Sequence, residues 1–472
     1  MKWGEKMSPD KREKMYKVGL YMAGILFFIF CQGEIGWVMG GDSEQFLSFG
    51  YTAGVMPMPL YPLFLRIMRA VFGEGIYLYI VMIVQSILAG CCIAYFADYI
   101  RKQFHLNLAE GVIAFIVSLF PFIILLPEDP ISHAIMTEAI SYPLFYVYIV
   151  LVLKAIYNNK KSYLYSTVLL IVFISLARPQ MKFLFAVSGI VYLYLAIKTR
   201  ITVNKENVGK WYLGKVIAFF LVLFLSLQAI TITVDIYQRV MFDTPASNYS
   251  YMAIVERGLY ACDAEDEALY EEEYLKDIFR KTYAEMEEQQ VNYKYMGEGL
   301  GRWNDIVRGT TTCSRIVGKY AREYLESTGE LSSNPVKEEA QVSEIFGAIG
   351  TVLVKDNYKQ YLTDSMNLIP AGFVSTVLFH KESIYGLIHV MTLVLYVVAI
   401  GLSIWVYVKK KHDSRVAEYM LLITGTAILN VVSSNIVLFG LQRYLAYTLG
   451  MFYLGMLLIA RDFWKVYFGN EK

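Results

Sequence analysis

This 472-residue chain is short of charge: Asp, Glu, Lys and Arg make up 18% of it, against about 25% in a typical soluble protein. That scarcity excludes a disordered chain, which needs polarity and charge to stay solvated. Neither sign is in excess, with 43 Lys plus Arg against 42 Asp plus Glu, so a basic nucleic-acid binder is excluded as well. Five cysteines are too few for a disulfide-knotted secreted module. No Cys or His spacing of the metal-ligand type occurs. What is present is apolar: 56% hydrophobic and 15% aromatic residues, with a mean hydropathy of +0.42. These values describe an integral membrane protein.

A membrane helix needs about 20 mostly apolar residues. Ten windows qualify, near 18–38, 76–97, 109–126, 134–156, 163–177, 181–197, 214–237, 384–408, 417–439 and 442–460. The fifth and sixth are short and are separated at Arg178-Pro179, where proline breaks the helix. Lys and Arg concentrate in the N-terminal tail, in alternate short loops (Arg101 and Lys102; Lys154, Lys160 and Lys161; Lys198 and Arg200; Lys409, Lys410 and Lys411) and after the last span. By the positive-inside rule these all lie on the cytoplasmic side if both termini do. The basic start is not followed by a small-residue cleavage site, so it reads as an uncleaved first helix.

The expected fold is therefore an all-α polytopic membrane protein of about ten transmembrane helices, N-in and C-in. Residues 1–237 form an N-terminal core of seven spans, with juxtamembrane helices in an outer loop at 39–75. Residues 238–383 form a helical outer cap, and 384–472 supply the last three spans. The cap carries 24 acidic and 15 basic residues, a net of −9 that leaves +10 for the rest of the chain. Cys262 and Cys313 both fall in it, where an oxidising compartment permits a disulfide without showing that the two thiols meet. Cys31, Cys91 and Cys92 read as packing residues within spans.

Ionisable residues at the outer ends of spans carry the functional signal, because burying them in a membrane is costly. Asp42 and Glu44 follow Gly40-Gly41, ahead of three prolines at 57, 59 and 62 that shape the return of the loop. Asp42 could equally cap a juxtamembrane helix. Glu138 sits one turn inside the fourth span, behind Glu128, Asp129 and His133, of which the histidine reads as structural. Arg178 with Lys182, Arg443 in Gln442-Arg443-Tyr444, and the pair His380 and Lys381 place cations at outer boundaries otherwise nearly free of them. Tyr249, Tyr251 and Trp303 of the cap could stack on sugar, although packing also accounts for tyrosine in a chain with 38 of them.

Two acids and two cations at four separate helix ends suit transfer from a phosphate-linked lipid. The incoming hydroxyl needs a carboxylate base, and the departing phosphate needs fixed positive charge. No strong acid is required for the leaving group, unlike in glycoside hydrolysis.

With Asp42-Ser43-Glu44 opening the outer loop, Thr137-Glu138 at the fourth span, Arg178-Pro179 and Gln442-Arg443-Tyr444, the chain resembles the GT-C glycosyltransferases, such as protein mannosyltransferases and aminoarabinose transferases. The resemblance covers the membrane core and not the cap. It implies an inverting transferase, with Asp42, and more weakly Glu44, as base or metal contact and Glu138 assisting. Asp42 and Glu138 would hold any divalent cation (Mg or Mn), and no organic cofactor is expected. Arg178 and Arg443, with Lys182, His380 and Lys381 behind them, would bind the donor phosphate. The partners expected are a polyprenyl-phosphate-linked sugar, a glycan or glycoconjugate acceptor and the bilayer, with no nucleic acid. The expected setting is a plasma membrane, bacterial by its low proline and high Tyr, Ile and Lys, with the site on the extracytoplasmic face. Two other readings stand beside this one: an O-antigen-type polymerase or ligase using lipid-diphosphate glycans, and a transporter or non-catalytic envelope-assembly protein.

Overall fold

The computed structural model describes residues 8–31, 36–40, 42–48, 58–125, 131–203, 209–243, 249–295, 302–377, 385–410, 413–437 and 440–468. Among them the chain is helical, with no β-strand and one isolated bridge between Val38 and Ala134. The N-terminal half runs α1 (Pro9–Phe30), α2 (Ser43–Ser48), α3 (Leu60–Phe72), α4 (Tyr77–Gln103), α5 (Leu108–Ser118), α6 (Phe120–Leu125), α7 (Glu138–Tyr157), α8 (Ser162–Ala177), α9 (Phe183–Val203) and α10 (Gly209–Phe242). Four helices of the cap follow: α11 (Tyr249–Tyr260), α12 (Glu273–Glu288), α13 (Arg302–Thr328) and α14 (Pro335–Asp356). The chain then returns through α15 (Tyr358–Val377), α16 (Tyr385–Lys409), α17 (Arg415–Val437), α18 (Gln442–Leu445) and α19 (Leu449–Phe468).

Eight stretches among the described residues are long and apolar enough to cross a membrane: α4, α5 with α6, α7, α9, α10, α16, α17, and α18 with α19. These correspond to eight of the ten expected spans. The fifth, α8, is apolar but has only 16 residues. The first differs in register: α1 starts at Pro9, capped by Ser8, and its lower half is filled by Lys11, Arg12, Glu13, Lys14 and Lys17. Its apolar part from Val18 to Phe30 falls short of the ~20 residues a crossing takes. It nevertheless packs tightly on α4, where Gly24 and Gly90 face each other. A Cβ on Gly90 would lie 2.5 Å from the Ile25 nitrogen, so a larger residue there separates the helices.

Helix α3 lies among the elements of the first loop and has three faces. Tyr61 and Leu65 are buried, Leu63, Ile67 and Val71 are exposed one turn apart, and Arg66 and Arg69 are the charged residues between. That pattern suits a helix in the plane of a membrane interface.

The cap has a hydrophobic core of its own, separate from that of the bundle. In α12 the buried Leu275, Ile278, Phe279, Thr282 and Met286 recur at helical spacing, giving one inward face. Cys262 and Cys313 both belong to this core and are free thiols. Leu368 joins the cap core while Val377 joins the bundle core, so α15 is the element shared between them.

One half-buried acid makes the cap pH-sensitive. Glu256 in α11 is half-buried and accepts a hydrogen bond from Ser314 Oγ at 3.0 Å, yet burial pushes its carboxyl up from 4.5 to about 7. The folded cap thus keeps a proton that the unfolded chain has already lost between these values, so stability falls as pH rises through that window. Glu256→Gln is expected to raise the cap's unfolding free energy by about 1–2 kcal/mol at pH 8, discounted for partial exposure, and by almost nothing at pH 4.5. Thermal unfolding at the two pH values checks this.

Candidate functional site

Four of the charged residues singled out in the sequence meet at the cap end of the bundle. Glu138 opens α7, where the positive end of the helix dipole favours a carboxylate. Arg178 sits in the break between α8 and α9. Pro179 cannot continue α8, and it drives the residue before it into extended backbone; Arg178 has φ −144° and ψ 108°. Arg443 lies in the short α18. Asp42 lies just before α2.

Backbone stitching brings Asp42 to Glu138. The Val38 amide donates to the His133 carbonyl at 2.9 Å, and the Ile135 amide donates to the Val38 carbonyl at 3.0 Å. Ser43 Oγ accepts from the Gly40 amide at 2.7 Å and donates to the Ile135 carbonyl at 2.9 Å. Behind them Gln85 of α4 donates to the carbonyls of Ser132 and Ala134, both at 3.2 Å, and accepts from the Tyr61 hydroxyl at 2.7 Å. His133 is fully buried with Nε2 2.8 Å from the Phe28 carbonyl, a structural position as expected.

The four charges form one chain of ion pairs. Arg178 Nη1 lies 2.7 Å from Glu138 Oε2, and Arg443 Nε lies 3.3 Å from Glu138 Oε1. Arg443 Nη2 reaches Asp42 Oδ2 at 3.0 Å. Glu138 thus presents one oxygen to each guanidinium, and Arg443 bridges the two carboxylates. Exposure divides the cluster. The side chains of Glu138 and Arg178 are 1% and 8% exposed, whereas those of Arg443 and Asp42 are 14% and 39% exposed. Arg178 also donates to Thr137 Oγ1 and Gln180 Oε1, and its guanidinium lies 4.5 Å over the Tyr444 ring.

The remaining candidates differ in placement. Glu44 is exposed on α2. Lys182 is half-buried at the end of the turn Pro179–Lys182, with no ion pair to the cluster among the described residues. His380, Lys381, Glu128 and Asp129 lie outside the described residues, as do the side chains of Tyr249, Tyr251 and Trp303. Among the described residues no group of three or more His, Cys, Asp or Glu is arranged to hold a metal ion. The position between Asp42 and Glu138, where any divalent cation would sit, holds the Arg443 guanidinium. The capping role considered for Asp42 is not what its carboxylate does; Ser43 makes the local turn bonds instead.

An uncharged shell fixes the two arginines. Gln180 Nε2 lies 2.7 Å from the Tyr444 carbonyl, 3.0 Å from Asn430 Oδ1 and 3.1 Å from Ser434 Oγ. Asn430 Nδ2 donates to the same Tyr444 carbonyl at 3.0 Å. Tyr142 donates to the Arg443 carbonyl at 2.7 Å, and its ring stacks on Tyr447 at 3.7 Å. Reading for charge overlooks these residues. The available signal was weaker: Asn430 and Ser434 are polar and one turn apart on an apolar span, and Gln180 follows the helix-breaking proline.

Below this shell an apolar groove of about 250 Å³ lies between α7, α9 and α17, lined by Val187, Ile190, Leu422 and Gly425 among others. It extends from Leu429, next to Asn430, down to Glu418. No family model, curated protein or solved structure matches the chain.

Proposed function

We propose that this protein is an integral-membrane glycosyltransferase of the GT-C kind, moving one sugar from a polyprenyl-phosphate donor to a glycan or glycoconjugate acceptor on the extracytoplasmic face. The observation that carries the reading is the meeting of Asp42, Glu138, Arg178 and Arg443, from four separate parts of the chain, in one ion cluster at the cap end.

Exposure supports a division of roles. Asp42, the more open carboxylate, removes the proton from the acceptor hydroxyl as its oxygen attacks the anomeric carbon. The bond from that carbon to the phosphate oxygen breaks on the opposite face, which inverts the centre. The phosphate leaves with the electron pair, and Arg443 receives its charge in a site kept partly dry. A guanidinium fork matches phosphate geometry better than an ammonium does. Glu138 is too enclosed to meet substrate, so it orients Arg443 while its other oxygen neutralises Arg178. The Arg443 guanidinium already places positive charge between the two acids. The groove beside α17 would take the donor's hydrocarbon chain, since it is apolar and begins one residue from the shell of the cluster.

The test uses the full chain in nanodiscs with a radiolabelled polyprenyl-monophosphate sugar and an envelope extract as acceptor. Transfer of label with inversion, and no consumption of lipid-diphosphate glycans, is the expected result. Consumption of the diphosphate donor would favour a polymerase or ligase, and sugar flux without covalent transfer would favour a transporter.

A further inference from the structure

The cap meets the bundle through a buried arginine that the proposed chemistry does not use. Arg257, near the end of α11, is 2% exposed. Its Nη1 donates to the backbone carbonyls of Asn435 at 2.9 Å and Ile436 at 3.2 Å. Its Nη2 donates to the Tyr361 carbonyl at 3.2 Å and to Ser365 Oγ at 2.9 Å. The guanidinium lies 4.2 Å over the Tyr361 ring, and the Tyr361 hydroxyl donates to the same Ile436 carbonyl. Each of these acceptors is uncharged. Two of them are carbonyls in the last turn of α17, which lack partners within the helix and carry the negative end of its dipole. One side chain of the cap therefore fastens the end of α17 to α15.

That helix end leads directly to the ion cluster. Asn435 donates from Nδ2 to the Val431 carbonyl at 2.8 Å and accepts from the Gly440 amide at 3.0 Å, which holds the chain as it turns towards α18. A Cβ on Gly440 would lie 2.5 Å from the Leu445 side chain and 3.0 Å from the Asn435 amide, so Gly440 itself is tightly packed. On the preceding turns Asn430 donates to the Tyr444 carbonyl beside Arg443, as does Gln180, which also donates to Ser434 Oγ. The end of α17 thus has Arg257 on one side and the neighbour of Arg443 on the other.

We propose that Arg257 is a positioning residue: by capping α17 it fixes Asn435, Gly440 and α18, so that seating of the cap holds Arg443 in place between Asp42 and Glu138. The consequence for transfer rests on the reading of Arg443 as the phosphate-binding residue, whereas the structural coupling does not.

The experiment compares Arg257→Gln and Arg257→Lys with the wild type, as full-length chains in nanodiscs, by hydrogen exchange and by transfer from labelled polyprenyl-monophosphate sugar. In Arg257→Gln the amides of residues 440–448 are expected to exchange about tenfold faster or more, while those of 313–325 in the cap core keep their protection. Arg257→Lys restores part of that protection, because an ammonium cannot span the acceptors on α15 and α17 together. Transfer falls by about tenfold or more in Arg257→Gln, but adding it to Arg443→Gln causes no further loss, which a general loss of stability would not produce. Should Arg257→Gln fail to fold, Ser365→Ala removes one acceptor of Arg257 and Tyr361→Phe removes the second bond to the Ile436 carbonyl, and both are expected to act in the same direction. Unchanged exchange at 440–448 in the folded variants overturns the proposal whatever the activity. Faster exchange there, with transfer indifferent to Arg443→Gln, upholds the coupling and rejects the functional reading.

Discussion

Exchange of Glu138 for alanine is expected to cost about 3–5 kcal/mol of stability, the range for removing one partner of a buried ion pair. The magnitude follows from what remains. Arg178 keeps Thr137 Oγ1 and Gln180 Oε1 as acceptors but loses its buried counter-charge, and Arg443 loses one of its carboxylate partners. A guanidinium 8% exposed cannot recover those interactions from water. The pair itself is a different matter, since replacing both members of a buried pair by apolar residues is often close to neutral. Glu138→Leu combined with Arg178→Met should therefore be more stable than either single variant, with a coupling of about 2–3 kcal/mol. Thermal unfolding of the four proteins in one detergent measures that cycle. Additive single losses would mean that the two charges do not share a buried environment.

Exchange of Asp42 for asparagine is expected to lower the turnover of sugar transfer by about 10²–10⁴-fold, the usual contribution of a positioned general base. Its effect on donor binding should have the opposite sign. Asp42 Oδ2 occupies Arg443 Nη2 at 3.0 Å, and that nitrogen is among those a donor phosphate would engage. Removing the carboxylate's charge frees Arg443 from a competitor for the phosphate, so KM for the donor should hold steady or drop while kcat falls. Loss confined to kcat marks an interaction made in the transition state. A purely structural Asp42 would produce a rise in KM and a loss of stability. The structural change should itself be small, because asparagine keeps the shape and Asp42 is the most open member of the cluster, with its side chain 39% exposed.

The four charges of the cluster were legible in the sequence for one reason: acids and arginines are costly at membrane depth, so their presence at span ends is a signal in itself. Membrane spans were legible on the same principle applied to apolar residues, and eight of the ten windows are helices of crossing length. Where hydropathy is blurred the reading slipped. The polar first half of α1 moved its helix eight or nine residues towards the N-terminus, and α8 is held as a short helix by its neighbours. The geometry within the cluster was not legible. Arg443 bridging Asp42 and Glu138 depends on the pairing of residues 38–43 with 133–135, a contact between distant segments that no local pattern encodes. Equally hidden were Gln180, Asn430 and Ser434, because uncharged polar residues occur on spans for many packing reasons. The free thiols of Cys262 and Cys313 show a further limit: shared location in the cap left open whether they were bonded, and three-dimensional placement answers it. Arg257 looked like one of 15 basic residues in an acidic cap. Only its burial against the end of α17 sets it apart.

The most direct test of the central claim is a single-turnover measurement on Asp42→Asn, with the purified chain in nanodiscs preloaded with labelled polyprenyl-monophosphate sugar and then mixed with acceptor. The account predicts that donor is retained at least as well as by the wild type while the transfer step slows by about 10²-fold or more. Transfer at the wild-type rate by a folded Asp42→Asn protein would contradict it.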